Sequence, residues 1–227
     1  MNLSKITDWL DRTLNVSAFD DVSNNGVQIQ CADFQADVSC VAFAVDASAK
    51  AVRAAADAGA QLLVVHHGIS WGGGIRRVTG GIYTVVKAAL DADLALYACH
   101  LPLDAHPTLG NNAGLAKAMG LKSLSPAFCY HGQKIGFVGR QGVTRVGVCS
   151  GGAGEFAEEA QRLGCDLFVT GEANWGEMIA AENCGMRMLC LGHYETEVYG
   201  VRALAAEMRK RLRIRVVDLT RITDESC

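Results

Sequence analysis

Leu62-Leu63-Val64-Val65-His66-His67-Gly68 is an apolar run that stops abruptly at two adjacent histidines and a glycine. A run this short, β-branched toward its end and bounded by Gly59 and Gly68, reads as a buried strand. In a parallel α/β sheet, ligands collect just beyond the carboxyl ends of strands, where loops open into a crevice. Side chains alternate along an extended backbone, so two neighbouring imidazoles serve one crevice only if the chain bends or two acceptors wait for them. Two metal ions meet that condition; a hydrogen-bonded strand terminus without any ligand is the plainer alternative.

On the amino-terminal side of this strand, Val38 to Val45 reads as another strand, ending at Asp46, and Ala47 to Ala58 as an alanine-rich helix. Further back, Met1 to Leu14 carries Lys5, Asp8, Asp11 and Arg12 and reads as an amphipathic helix, not a secretory signal. Between them, Asn25-Gly26 is a tight-turn dipeptide followed by the alternating strand Val27-Gln28-Ile29-Gln30. Asn25 is either a hairpin corner or an amide aimed at a site.

On the carboxyl side, the loop from Gly68 to Gly74 is glycine-rich and holds Trp71, which suits a mobile flap over a pocket. Ile82 to Leu90 is helically spaced. Leu94 to Ala98 is a strand that runs into Cys99-His100-Leu101-Pro102-Leu103-Asp104, where Pro102 argues for a turn or extended loop between His100 and Asp104. Asn111-Asn112 opens a helix closed by Gly120. Ala127 to Val138 reads as a hairpin and as the seam between two halves. Beyond it, Val143–Cys149, Cys165–Thr170, Met186–Leu191 and Ile214–Leu219 read as strands. They alternate with helices at Ala153–Leu163, Trp175–Glu182 and Tyr194–Arg211. Repeated β-α-β-α units predict an α/β fold with mostly parallel sheets covered by helices.

The chain has 227 residues, half of them hydrophobic, and a net charge of −3. That balance supplies a sizeable core and no basic field for nucleic acid. No stretch approaches the roughly 20 apolar residues of a membrane span. The nine cysteines lack a Cys-x-x-Cys pair, which fits a reduced, cytoplasmic protein using thiols as small hydrophobes.

His193 and Glu197 stand four apart at the start of a helix after a strand, so an imidazole and a carboxylate share one face. With them, His66, His67, His100 and Asp104 all follow predicted strands, and these include four of the six histidines. The donors outnumber the needs of one four-coordinate ion and include no sulfur, so the set points to a dinuclear site for zinc, manganese, iron, cobalt or nickel. One competing pattern, Gly152-x-Gly154-x-x-Ala157 with Glu172 downstream, superficially matches a dinucleotide fingerprint. It falls late in the chain and reads more simply as a glycine turn.

Five segments occur in order: Ser23–Gln28, His66–Trp71, His100–Asp104, Thr170–Glu172 and Gly192–Glu197. Together they resemble the successive motifs of the NIF-type dinuclear-metal family, whose members are often described as GTP cyclohydrolase type 2 homologues. The resemblance implies two interlinked three-layer domains, taken here as 1–126 and 127–227, with sites at the carboxyl ends of strands and assembly as a toroidal homohexamer. It implies that His66 and His67 hold different divalent ions, that Asp104 binds one and His193 the other, and that Glu197 bridges them. His100 would be a further ligand or a partner orienting one. The reaction it suggests is metal-dependent hydrolysis of a nucleotide-like or phosphorylated small molecule, with Glu172 as proton donor. Glu172 could equally be an N-cap or first-turn acid. The other function class open to this sequence is a non-catalytic metal chaperone, store or regulatory protein.

Overall fold

The computed structural model describes residues 1–221, and the chain divides into two compact units. The first joins Met1–Pro102 to the chain from Val201 onward; the second is Leu103–Gly200. The first unit begins with α1 (Leu3–Leu14), β1 (Gly26–Ile29), β2 (Cys40–Asp46), α2 (Ala49–Asp57), β3 (Leu62–His67), α3 (Gly80–Asp91) and β4 (Ala95–Ala98). Next come α4 (Leu101–Ala105), α5 (Asn111–Ala118), β5 (Lys122–Tyr130), β6 (Gln133–Gln141) and β7 (Thr144–Gly152). They are followed by α6 (Ala157–Arg162), β8 (Leu167–Glu172), α7 (Trp175–Asn183), β9 (Met188–Cys190), α8 (His193–Leu212) and β10 (Arg215–Asp218).

The first unit's sheet has the order β1-β4-β3-β2-β10, parallel except for the antiparallel edge strand β1. Successive side chains of a strand face opposite sides of the sheet. Leu63 and Val65 of β3, with Ala42 and Ala44 of β2, pack on Ala51, Val52 and Ala55 of α2 and on Val85 and Ala89 of α3. Leu62 and Val64 point the other way and are equally inaccessible, as expected of a parallel strand covered on both faces. That continuous burial fixes the register and so fixes where His66 and His67 emerge. Ser48 caps α2 by accepting the Ala51 N–H, which explains why the helix starts at Ala49, three residues past Asp46.

The second unit's sheet runs β5-β6-β7-β8-β9, with β5, β6 and β7 antiparallel and β7, β8 and β9 parallel. The hairpin seen in sequence is real, but it is no seam. It lies wholly inside the second unit, so the division falls at Pro102 and again at Gly200, not at 126/127. The last strand, β10, belongs to the first sheet beside β2, and not to the series of strands that precedes it in sequence. Local β-α alternation specifies a parallel neighbour without saying which sheet supplies it.

Pro102 does not exclude a helix. It is the second residue of α4, in the first turn, where a missing N–H costs nothing and a fixed φ suits the helix. Among the described residues the eight cysteines are free thiols, with Cys40, Cys99 and Cys149 buried. No described helix is long and apolar enough to cross a membrane.

Candidate functional site

In the first unit the carboxyl ends of β3 and β4 bring three imidazoles together. Ring centroids lie 4.6 Å apart for His66 and His67, 5.1 Å for His66 and His100, and 5.7 Å for His67 and His100. One ligand nitrogen from each lies within 4.8 Å of the others, a spacing at which the three could hold a metal ion. Each ring has its Nδ1 directed at an oxygen. His66 Nδ1 is 2.9 Å from the Cys99 carbonyl, His67 Nδ1 2.8 Å from Asp46 Oδ1, and His100 Nδ1 2.8 Å from Asp21 Oδ1. Facing an acceptor, Nδ1 carries the proton, and the lone pair is set on Nε2, the tautomer a metal requires. The donor set therefore fits a divalent ion.

Asp21 and Asp46 escape a reading by motif, because each meets its histidine only through the fold. Asp21 is the more elaborate. Its side chain is 2% exposed and accepts from His100 Nδ1, the Asn25 amide and the backbone N–H groups of Ser23 and Leu101. Burial alone would raise its pKa; the hydrogen bond and charge of His100, with Ser23 and Asn25, outweigh burial and hold it below the usual carboxylate range. Asn25 faces the site after all, since its Oδ1 accepts the His100 N–H at 2.7 Å. No hairpin corner forms there: β1 pairs with β4.

The Trp71 loop differs from the mobile flap expected of its glycines. Ser23 and Trp71 form a β-bridge, Gly72 N–H donates to Val22 O at 2.6 Å, and Gln28 Oε1 accepts from Ile69 N–H and Ser70 N–H. A Cβ on Gly68 would collide with that Gln28 amide, so the glycine is required by close approach rather than by flexibility.

The second unit carries Asp104, Glu172, His193 and Glu197. Asp104, in α4, is buried and accepts from Asn111 Nδ2 at 2.9 Å and Ser150 Oγ at 3.2 Å. His193 opens α8 with Nδ1 2.9 Å from Glu172 Oε1 and Nε2 3.3 Å from Glu197 Oε2. Glu172 ends β8 and lies outside α7, whose cap is Asn174 and whose first-turn acid is Glu177, so the capping alternative fails. Of the glycines of the apparent dinucleotide fingerprint, Gly152 lies where a Cβ would touch Glu172 at 3.5 Å and Gly154 where a Cβ would meet Ala173 and Glu177. Gly151 beside them, at φ +68°, leaves room for Glu197 Oε1, which a Cβ would strike. Among the described residues, His106 and His131 fall in none of the groups that could hold a metal ion: His106 Nδ1 accepts backbone N–H groups of its own turn, and His131 stacks on Tyr130.

The hydrogen bond to Glu197 is the largest cause of a His193 pKa raised to about 9. Burial opposes it, while the charge of Glu197 and the hydrogen bond and charge of Glu172 add to it. In the metal-free chain at neutral pH, a proton thus occupies the space between Nε2 and the carboxylate that a metal ion would take. The sign follows for stability: the folded pKa exceeds the unfolded value of about 6.5, so this contribution is full below pH 6.5 and is lost as pH rises through about 9. For metal the sign reverses, because imidazolium cannot ligate. Between pH 7 and 9, affinity for the ion at His193 is expected to rise about tenfold per pH unit and level off above 9. Chelator competition across that range checks it, and a flat profile would remove His193 from the ligand set.

These features define a mixed α/β protein with histidine and carboxylate groups that could hold metal ions. Sequence comparison supplies the family. The model for Duf34/NIF3 (NGG1p interacting factor 3) matches residues 1–141 and 131–225, and the chain belongs to that family. A protein of Pyrococcus horikoshii named GTP cyclohydrolase 1 type 2 homolog is 38% identical over 96% of this chain and 97% of its own length. A Deinococcus radiodurans protein of the same name is 40% identical over 88% of this chain and 86% of its own. Among solved structures, a protein described as ybgI, of unknown function, superposes with TM-score 0.88 at 28% identity, covering 97% of this chain and 98% of that one. TTHA1606 from Thermus thermophilus gives 0.81 at 30% identity, covering 96% and 98%.

Proposed function

We propose that this protein is a divalent-metal-dependent hydrolase of a nucleotide-like or phosphorylated small molecule. The observation that carries the reading is the consistent anchoring of Nδ1 in His66, His67, His100 and His193 by carbonyl or carboxylate oxygens. Rings held in that way are built to present Nε2 to a metal. The proposed donors are His66, His67 and His100 in the first unit and Asp104, His193 and Glu197 in the second, for two ions of zinc, manganese, iron, cobalt or nickel. Glu197 is proposed to be shared, as the family resemblance implies. Such ions supply Lewis acidity and a nucleophile at neutral pH.

The chain's own residues do the rest. Asp21, Asp46 and Glu172 orient the rings and raise their basicity as ligands. Glu172 is the proposed proton donor: its side chain is 63% exposed, so while one oxygen accepts from His193 Nδ1 the other can take a proton from solvent and deliver it to a substrate. The relatives named GTP cyclohydrolase homologues make purine nucleotides the first substrates to try. Assembly as a homohexamer is proposed on the resemblance alone, and light scattering showing a monomer at micromolar concentration would count against it.

The decisive experiment is turnover of a panel of nucleotides and phosphorylated metabolites by metal-replete and chelated protein side by side. Metal-dependent turnover of at least one is expected. Readily exchanging ions with no turnover would instead mark a metal carrier or store.

A further inference from the structure

We propose that the Trp71 indole is the stacking wall of a binding site for a planar heteroaromatic ring beside the His66, His67 and His100 cluster. The inference rests on the hydrolase reading for its location and narrows the substrate to one that contains such a ring. Trp71 is 38% exposed, and its polar edge is already satisfied, with Nε1 donating to Gly68 O at 3.0 Å. The rest of the indole is hydrocarbon, the part of a tryptophan most costly to leave wet. The indole cannot bury itself by a swing of the loop, because the Ser23 bridge and the Val22 and Gln28 hydrogen bonds pin its backbone on both sides.

Its position is specific. The ring is near-perpendicular to His100 at 5.1 Å and lies 6.0 Å from His67, so a flat group laid against it would sit next to the imidazoles proposed to hold metal. Base-on-aromatic stacking is worth about 1–3 kcal/mol per ring, or roughly fivefold to a hundredfold in affinity. A phosphorylated sugar without a ring would gain none of this.

The test compares GMP, CMP and nicotinamide mononucleotide with ribose 5-phosphate, from which each differs by its ring, on the full chain by calorimetry. At least one ring-bearing probe should bind wild type about tenfold or more tightly than ribose 5-phosphate. That advantage should vanish in Trp71→Leu and return in Trp71→Phe. Equal affinity for all four probes, or an advantage that survives Trp71→Leu, overturns the proposal. A second measurement leaves position 71 intact: in Trp9→Phe/Trp175→Phe protein the sole indole should be quenched by the ring probes and not by ribose 5-phosphate, and the absence of quenching also overturns it. Metal content measured on the same samples keeps the two readings apart. Loss of the ring preference at unchanged metal content implicates Trp71 alone, whereas wild type that binds no metal sinks the hydrolase reading while the ring comparison still decides the role of Trp71.

Discussion

On the proposed sharing of Glu197 by two ions, Glu197→Gln is expected to lose both, with metal affinity falling more than a hundredfold, beyond the 10- to 100-fold typical of residues that only orient a ligand. The substitution keeps shape in a tight place: the residue is 3% exposed and a Cβ on Gly151 would strike its carboxylate. What changes is charge. Two effects then oppose one another. Removing the carboxylate takes away the chief cause of the raised His193 pKa, which frees that ring from its proton at neutral pH and favours metal. It also removes an anionic donor from a buried setting, where charge interactions are several-fold stronger than in water. The second effect should win, and measurement at about pH 10 shows it most clearly, since wild-type His193, at about 9, is then largely neutral and the ring of the variant, without its chief cause of elevation, is more so. Metal analysis after chelator-buffered dialysis decides the matter. Loss of one ion would make Glu197 a ligand to a single ion, and retention of both at wild-type affinity would take it out of the donor set.

Glu172→Gln separates orientation from proton transfer. The amide oxygen can still accept from His193 Nδ1–H, so metal affinity should stay within a few-fold of wild type. An amide cannot donate a carboxyl proton, however, and positioned acids contribute about 10²- to 10⁴-fold to rate. Turnover of whichever substrate the panel identifies should fall by that amount with metal content unchanged. If turnover is also unchanged, Glu172 serves only to hold the ring, through the 2.9 Å contact already described.

The proposed donor histidines stand out in the sequence because each lies at, or within three residues of, the end of an apolar strand, and a strand end is where an α/β sheet exposes chemistry. The residues that set the ring tautomers were not. Asp21 lies 79 positions from His100, and the bonds it accepts from His100 and Leu101 depend on β1 pairing with β4. Asp46 was visible as the polar end of a strand, yet only the parallel register that places it opposite His67 gives it a partner. Pro102 misled because its effect depends on where in a helix it falls, and a helix of five residues leaves little pattern from which to find the start. β10 misled for another reason. Its apolar run is an ordinary buried strand, and the choice between two sheets is made by packing over long sequence separation, which no local window contains.

That placement of β10 has a consequence for how the chain is made. The whole second unit is translated between β2 and β10, so a nascent chain holds β2 with one edge of its backbone unpaired throughout that interval. An open edge on a strand as uniformly apolar as Cys40–Val45 is a template for pairing with a stranger. The second unit is continuous in sequence and can close its own sheet locally. The first cannot, and aggregation during synthesis is therefore a hazard of its imidazole-bearing sheet rather than of the sheet that leads to His193 and Glu197.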